Sequence, residues 1–285
     1  MTPDRPSLTA LGVAVHRAVH QVEENGSLFR DPFARLVLGP DADALMATHA
    51  RPEDTRMRLH VAMRTRFAED ALAAAVADGV TQAVVLGAGL DTFALRNPWP
   101  CLNVFEVDRP ITQNWKLDCI RRAGLSFPAN ARFVAMDFEH DEVAGQLEPQ
   151  GFDRARPAFF IWLGVVPYLT REAIMTTLAF AGSLPGNEIV CDYSEPLENY
   201  PADQRQARAE IARRVAAVGE PWLSFFEPAE LAALLRQQGF DNIQDLGPRQ
   251  IARRYFNRDM PETGGAHVLH ARRLARPLSG GGYPS

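Results

Sequence analysis

Lysine is almost missing from this 285-residue chain: of its 30 lysines and arginines, Lys116 is the only lysine. Schiff-base chemistry through a lysine amine is therefore excluded everywhere else. Cysteine is nearly as scarce. Cys101, Cys119 and Cys191 are widely spaced with no CxxC pair, so neither a disulfide framework nor a zinc ribbon is expected, and a reducing, cytoplasmic compartment fits that usage. An excess of positive charge is also lacking, since 30 Lys and Arg face 35 Asp and Glu for a formal net charge of -5. That is the wrong sign for a footprint on nucleic-acid phosphates. The longest nearly unbroken apolar run, Pro157 to Leu169, falls short of the roughly 20 residues that span a bilayer, and no leader-like apolar stretch opens the chain. Neither membrane nor nucleic acid is thus an expected partner. Repeats are absent, and low complexity is confined to the end of the chain, so that residues 276–285 read as a disordered tail.

What is present is a globular composition, 46% hydrophobic and 23% charged, at a length that one elaborated α/β domain can reach. Short apolar or β-branched runs at Ala83 to Leu86, Leu102 to Val107, Arg132 to Met136, Ala158 to Leu163 and Glu188 to Cys191 predict strands, four of them followed by helical stretches. That alternation predicts a doubly wound parallel sheet. Two later runs, Asn242 to Leu246 and His267 to Leu274, are separated by a loop containing Asn257, Pro261, Gly264 and Gly265, and predict an antiparallel pair at the sheet edge. The first eighty residues read as a helical cap with breakers at Pro32, Gly39, Pro40 and Pro52. A second insertion near 195–226 carries a helix over Ala202 to Val218, and another helix follows over Pro228 to Gln238, stopped by Gly239.

The chemistry concentrates where the first strand ends. Val85-Leu86-Gly87-Ala88-Gly89-Leu90-Asp91-Thr92 runs from a buried strand through a glycine turn, which lets a ligand approach the backbone or is simply a tight strand-to-helix connection. Nineteen residues after Gly89, Phe105-Glu106-Val107-Asp108 closes the second strand with an acid, the position from which a carboxylate takes ribose hydroxyls. Together they indicate a nucleoside cofactor. Thr92 occupies the place of the third glycine of a dinucleotide fingerprint, and Asp91 beside it repels pyrophosphate, so S-adenosylmethionine (SAM) fits better than NAD. His60, Arg64, Phe67 or Ala68, Ala71 and Ala75 share one helical face, whereas Arg66 faces Asp70 at i+4 on another. An arginine on an apolar stripe needs an anion: the carboxylate of a ligand or an internal Asp or Glu.

Ser7-Leu8-Thr9-Ala10, Asp31-Pro32-Phe33-Ala34, Ala62 to Phe67, Val85 to Thr92, Phe105 to Pro110, Met136-Asp137-Phe138, Gly164 to Thr170 and Gly219-Glu220-Pro221-Trp222, in that order along nearly the whole chain, resemble the leucine carboxyl methyltransferase type of SAM-dependent methyltransferase, including its polyketide O-methyltransferase-like relatives. The resemblance implies a class I, Rossmann-like fold: a seven-stranded sheet, mainly parallel with one antiparallel edge strand, under a helical N-terminal cap. It divides the chain into cap and lead-in helix (1–80), SAM-binding core (81–194), helical lid (195–228), and C-terminal helix with edge strands (229–275). It implies that Arg64 takes the methionine carboxylate of SAM, that Asp137 and Phe138 serve the adenine, and that Gly87, Ala88, Gly89, Asp91, Glu106 and Asp108 complete the cofactor site. Many relatives carry a glutamate where Leu163 stands here, so this position loses a polar cofactor contact. Without the resemblance, Asp137 is equally an ordinary solvated loop acid.

Methyl transfer from a sulfonium needs alignment and a low-dielectric pocket, and a base only when the acceptor is a hydroxyl. The acceptor is expected to be a small molecule, methylated on a hydroxyl or a carboxylate, with S-adenosylhomocysteine (SAH) as product. Tyr168 and Tyr193, near strand ends, are the polar groups that face it, or else interfacial aromatics. A noncatalytic SAM-binding protein and an NAD-dependent oxidoreductase are the alternatives. No metal site is expected. His16 and His20 have a chelating i, i+4 spacing without a third ligand, and His267 and His270 point to opposite faces of one strand.

Overall fold

A computed structural model describes residues 6–184 and 186–274, and the tail expected at 276–285 lies outside them. The strands are β1 (Gln82–Leu86), β2 (Asn103–Asp108), β3 (Ala131–Ala135), β4 (Phe159–Trp162), β5 (Glu188–Ser194), β6 (Asn242–Leu246) and β7 (Ala266–Arg272). They form one sheet in the order β3-β2-β1-β4-β5-β7-β6, the first five parallel and β7 antiparallel to both of its neighbours. The antiparallel strand expected at that edge is thus β7, one place in, with β6 outermost. Every residue of β1, β4 and β5 is buried, as expected of parallel strands covered on both faces.

The α-helices among the described residues are α1 (Leu8–Glu23), α2 (Ala42–His49), α3 (Thr55–Ala77), α4 (Phe93–Arg96), α5 (Pro110–Arg122), α6 (Val143–Leu147), α7 (Arg171–Ala181), α8 (Ala202–Ala217), α9 (Pro228–Gln237) and α10 (Pro248–Phe256). Alternation along β1 sorts them into two layers. Val84 and Leu86 pack with Ile174 and Leu178 of α7 and Leu231 and Leu235 of α9. Ala83 and Val85 pack with Met63, Phe67 and Leu72 of α3 and Ile251 of α10. A third cluster joins Ala14, Val15, Ala18 and Val19 of α1 to Val37, Leu38 and Leu90, seating the N-terminal segment beside the end of the glycine turn.

Two elements depart from the sequence reading. The helix expected after the glycine turn has only four residues, because Asn97 leaves helical geometry just ahead of Pro98. Conversely α10 fills what reads as loop: Pro248 opens it, Asn257 closes it at φ +49°, and it buries only Ile251 and Ala252. Ile251 is buried with Tyr255 and Phe256 packed on the same cluster and arginines on the other face, so the helical pattern was present in a run that reads as loop only because it is short and strongly charged. Among the described residues no helix is long and apolar enough to cross a membrane.

Candidate cofactor and acceptor site

The glycine turn is forced by geometry on both sides. Gly87 (φ +64°) and Gly89 (φ +51°) adopt left-handed backbone. A Cβ on Gly87 would lie 2.3 Å from Val165 Cγ2 in the segment after β4, and one on Gly89 would lie 3.3 Å from Ala10 Cβ in the first turn of α1. The Ala88 N–H donates to the Val107 carbonyl at 2.9 Å, tying the turn to β2.

Asp108 completes that edge. Its Oδ2 accepts from the Gly89 N–H at 2.5 Å and its Oδ1 from the Arg109 N–H at 2.7 Å. Each carboxylate oxygen keeps a second acceptor position, so the group can also receive the two hydroxyls of a vicinal diol. Burial pushes its pKa up, opposed by those two amides. One strand further, Asp137 accepts from the Glu139 N–H at 3.1 Å and lies 3.5 Å from the Arg109 guanidinium, and Phe138 packs on the core beside it. The glycine turn, Asp108 and Asp137–Phe138 therefore stand at the consecutive carboxyl ends of β1, β2 and β3.

On the other side of the turn Arg64 meets an acid of β5. Arg64 Nη1 donates to Asp192 Oδ2 at 2.6 Å, and Asp192 Oδ1 accepts from the Gly164 N–H at 2.5 Å. Gly164 (φ +74°) passes so close that a Cβ there would lie 2.7 Å from Arg64 Nη2. The internal partner is thus an aspartate from a distant part of the sequence, and the rest of the guanidinium fork is not used by it. Leu163 packs with the apolar residues on the α3 face and supplies wall, not a polar contact. Asp192 escaped the sequence reading, although an acid between the apolar run Ile189-Val190-Cys191 and Tyr193 was a visible signal.

Three expected site residues are engaged by partners within the protein. Glu106 is fully buried against Lys116, Nζ to Oε2 2.6 Å, with both side chains 1% exposed. Burial raises its pKa and Lys116 opposes the rise. It is an internal ion-pair residue and not a cofactor contact, because it sits two residues short of the strand end. Asp91 is held by Arg17 at 2.9 Å and by the Phe93 N–H at 2.6 Å. Although burial works against it, Arg17 and Arg96 keep its carboxyl below the usual range. Its work is to fasten α1 over the glycine turn, helped by Asp31, which meets Arg17 at 3.0 Å and accepts from the Thr92 hydroxyl at 2.7 Å. Tyr193 is the third: its hydroxyl donates to Asp245 Oδ2 at 2.6 Å and its ring stacks 4.8 Å from His267, itself held by Asp245 and Glu195 at 2.9 and 2.8 Å. It braces β5, β6 and β7 on the face opposite Asp192. Tyr168 lies among Trp222, Thr9, Arg64 and Glu220, and burial raises its pKa.

The cap and the returning segment of the insertion meet above this edge. The Thr9 N–H donates to Glu220 Oε2 at 3.1 Å, the Ser224 hydroxyl to the Leu169 carbonyl at 2.7 Å, and the Phe226 N–H to the Ser194 carbonyl at 3.1 Å. His20 pairs with Glu24 at 3.1 Å and His16 packs edge-on against His49. Among the described residues no group of three His, Cys, Asp or Glu side chains is placed to hold a metal ion.

A seven-stranded sheet in this order, with a glycine turn and an acid at adjacent carboxyl ends, defines a Rossmann-like methyltransferase fold. A solved structure titled as a putative methyltransferase from Thermobifida fusca YX shares that fold, at a TM-score of 0.58 and 16% identity over 95% of this chain and 96% of that one. The family described as leucine carboxyl methyltransferase matches residues 10–182. A Bacillus subtilis (strain 168) protein named "Putative S-adenosyl-L-methionine-dependent methyltransferase YktD" is 34% identical over 212 residues, covering 73% of this chain and 69% of its own. A Mycobacterium avium (strain 104) protein named "Putative S-adenosyl-L-methionine-dependent methyltransferase" is 32% identical over 282 residues, 89% of this chain and 88% of its own. The chain belongs to the leucine carboxyl methyltransferase family of SAM-dependent methyltransferases.

Proposed function

We propose that this protein binds SAM across the carboxyl ends of β1, β2 and β3 and methylates an oxygen of a small molecule, a hydroxyl or a carboxylate, releasing SAH. The observation that carries this reading is the Asp108 carboxylate, drawn over the glycine turn by the Gly89 N–H at 2.5 Å while each of its oxygens keeps an acceptor position for a ribose hydroxyl. The residues present suit the cofactor: Gly87 and Gly89 hold the turn in left-handed backbone, Asp137 and Phe138 offer an acceptor and an apolar wall for adenine, and Arg64 offers guanidinium N–H groups for a carboxylate. When bound, SAM supplies a methyl group already activated by sulfonium. The protein's own contribution is alignment and exclusion of water, for which cap and lid close through the Thr9–Glu220 contact. Tyr168, its pKa raised by burial, stays protonated at neutral pH and so orients an acceptor by donating a hydrogen bond; it is not a base.

In this reading residues 1–275 act as one methyltransferase unit, and a cytoplasmic setting accords with the free thiols of Cys101, Cys119 and Cys191. Calorimetry tests the assignment. SAM and SAH should bind the wild-type protein and NADH should not, and Asp108→Ala should weaken SAH by about 1.5 to 3 kcal/mol, the range for hydrogen bonds to a charged group. An unchanged SAH affinity in a folded Asp108→Ala protein removes the carboxylate from the site, and NADH binding in competition with SAM overturns the methyltransferase reading.

A further inference from the structure

We infer that Arg56 and Arg208 form an anion-binding subsite for the acceptor, one that takes a carboxylate other than the oxygen being methylated. This rests on the methyltransferase reading. Arg56, His60 and Arg64 are spaced four apart on α3 and share one face. Facing them, Asp192 and Ser194 stand on one side of β5, and Arg208 comes down from α8. Arg208 donates to the Ser194 hydroxyl at 2.9 Å and lies between two aromatic rings, 4.9 Å from Tyr200 and 4.7 Å from Trp222. Arg56 reaches α8 by donating to Gln204 Oε1 at 2.7 Å. These partners are a neutral hydroxyl and a neutral amide. Asp192, the carboxylate of the cluster, already serves Arg64 and the Gly164 N–H. Glu220, near Trp222, is likewise engaged by the Thr9 N–H, and among the described residues neither Arg56 nor Arg208 makes an ion pair.

His60 reports the resulting field. Its Nε2 is 4.0 Å from Asp192 Oδ2, yet burial together with Arg64, Arg208 and Arg56 outweighs that acid and pulls its pKa to about 4. A guanidinium already stacked and anchored has little freedom left to lose, so it is preorganised for a two-point grip on a carboxylate. The gripped carboxylate is a handle and not the nucleophile, because its lone pairs are engaged by N–H donors. Distance agrees. Arg56 lies two helical turns, about 12 Å, along α3 from Arg64, which marks the cofactor end beside Gly164. The acceptor class is thus an acidic small molecule with a carboxylate at one end and a methylatable oxygen at the other.

The test is titration of SAH-loaded protein with para-hydroxybenzoate and with para-hydroxybenzamide, which match in size and hydroxyl and differ in charge. The acid should bind at least about tenfold more tightly than the amide. Arg208→Gln and Arg56→Gln should each remove most of that preference and leave the affinity for SAH within about twofold. Equal binding of acid and amide, binding of neither, or a preference untouched by both substitutions overturns the subsite. SAH binding by the wild-type protein is measured first, and its failure is the failure of the methyltransferase reading instead. Arg56 is exposed, so its variant keeps the test valid if Arg208→Gln unfolds the lid.

Discussion

Two ion pairs of the same length, 2.6 Å, hold this molecule in different ways. Lys116–Glu106 joins α5 to β2, neighbours along the chain, and is sealed, each side chain 1% exposed. Arg64–Asp192 joins α3 to β5 from distant parts of the sequence, keeps 9% and 8% exposure, and shares its carboxylate with the Gly164 backbone beside the glycine turn. Geometry alone does not separate a structural pair from a functional one. Access does: Glu106 is sealed, whereas in the function proposed above a ligand at the sheet edge would meet the side of the Arg64 fork that Asp192 does not use.

The largest effect expected from that contrast is on stability. Lys116→Met leaves Glu106 buried without its counter-charge and should cost about 3 to 5 kcal/mol in urea denaturation. The loss should depend on pH. Burial raises the folded pKa of Glu106 above its ordinary 4.5, so above that value the native state binds more protons than the unfolded chain, and stability falls as pH rises. The variant should therefore lie closer to wild type at about pH 5 than at about pH 8, and Glu106→Gln added to Lys116→Met should recover part of the loss. A deficit of equal size at both pH values means a packing defect and breaks the comparison.

A smaller and different effect is expected at the open pair. Arg64→Lys keeps the charge and loses the planar fork, so SAH should weaken by about 1 to 2 kcal/mol while 5′-methylthioadenosine, which lacks the carboxylate, binds as before. Equal losses for both ligands, or a lower melting temperature with normal SAH binding, assign Arg64 to Asp192 alone. The smallest effect belongs to Arg66, whose pair with Asp70 is 2.7 Å long but 53% and 44% exposed. Arg66→Ala should change stability by no more than about 0.5 kcal/mol. A tenfold or greater loss in the folding equilibrium would show that exposure is not what ranks these pairs.

Much of this was legible residue by residue. The seven strands fall within a few residues of their sequence positions because buried parallel strands leave short apolar runs bounded by breakers. The Arg66–Asp70 pair follows from helical spacing alone. Glu106 and Asp108 are two apart on one strand face, so alternation treats them alike, and only where β2 stops decides which one is sealed beneath α5 and which overhangs the edge. Tyr193 likewise stands at a strand end, but its neighbour β7 brings His267 and β6 brings Asp245 to occupy it.

By itself the sequence determined the doubly wound sheet, the glycine turn and the acid that follows it, since each is set by contacts among residues close together along the chain. The tertiary structure alone decided that Arg64 meets Asp192, that α1 is fastened over the turn by Arg17, and that Arg56 meets Gln204 while Arg208 meets Ser194. Those groups are brought together by packing of α1, α3, β5 and α8 across large separations in sequence, and local propensity and periodicity carry no information about which distant side chains will share one pocket.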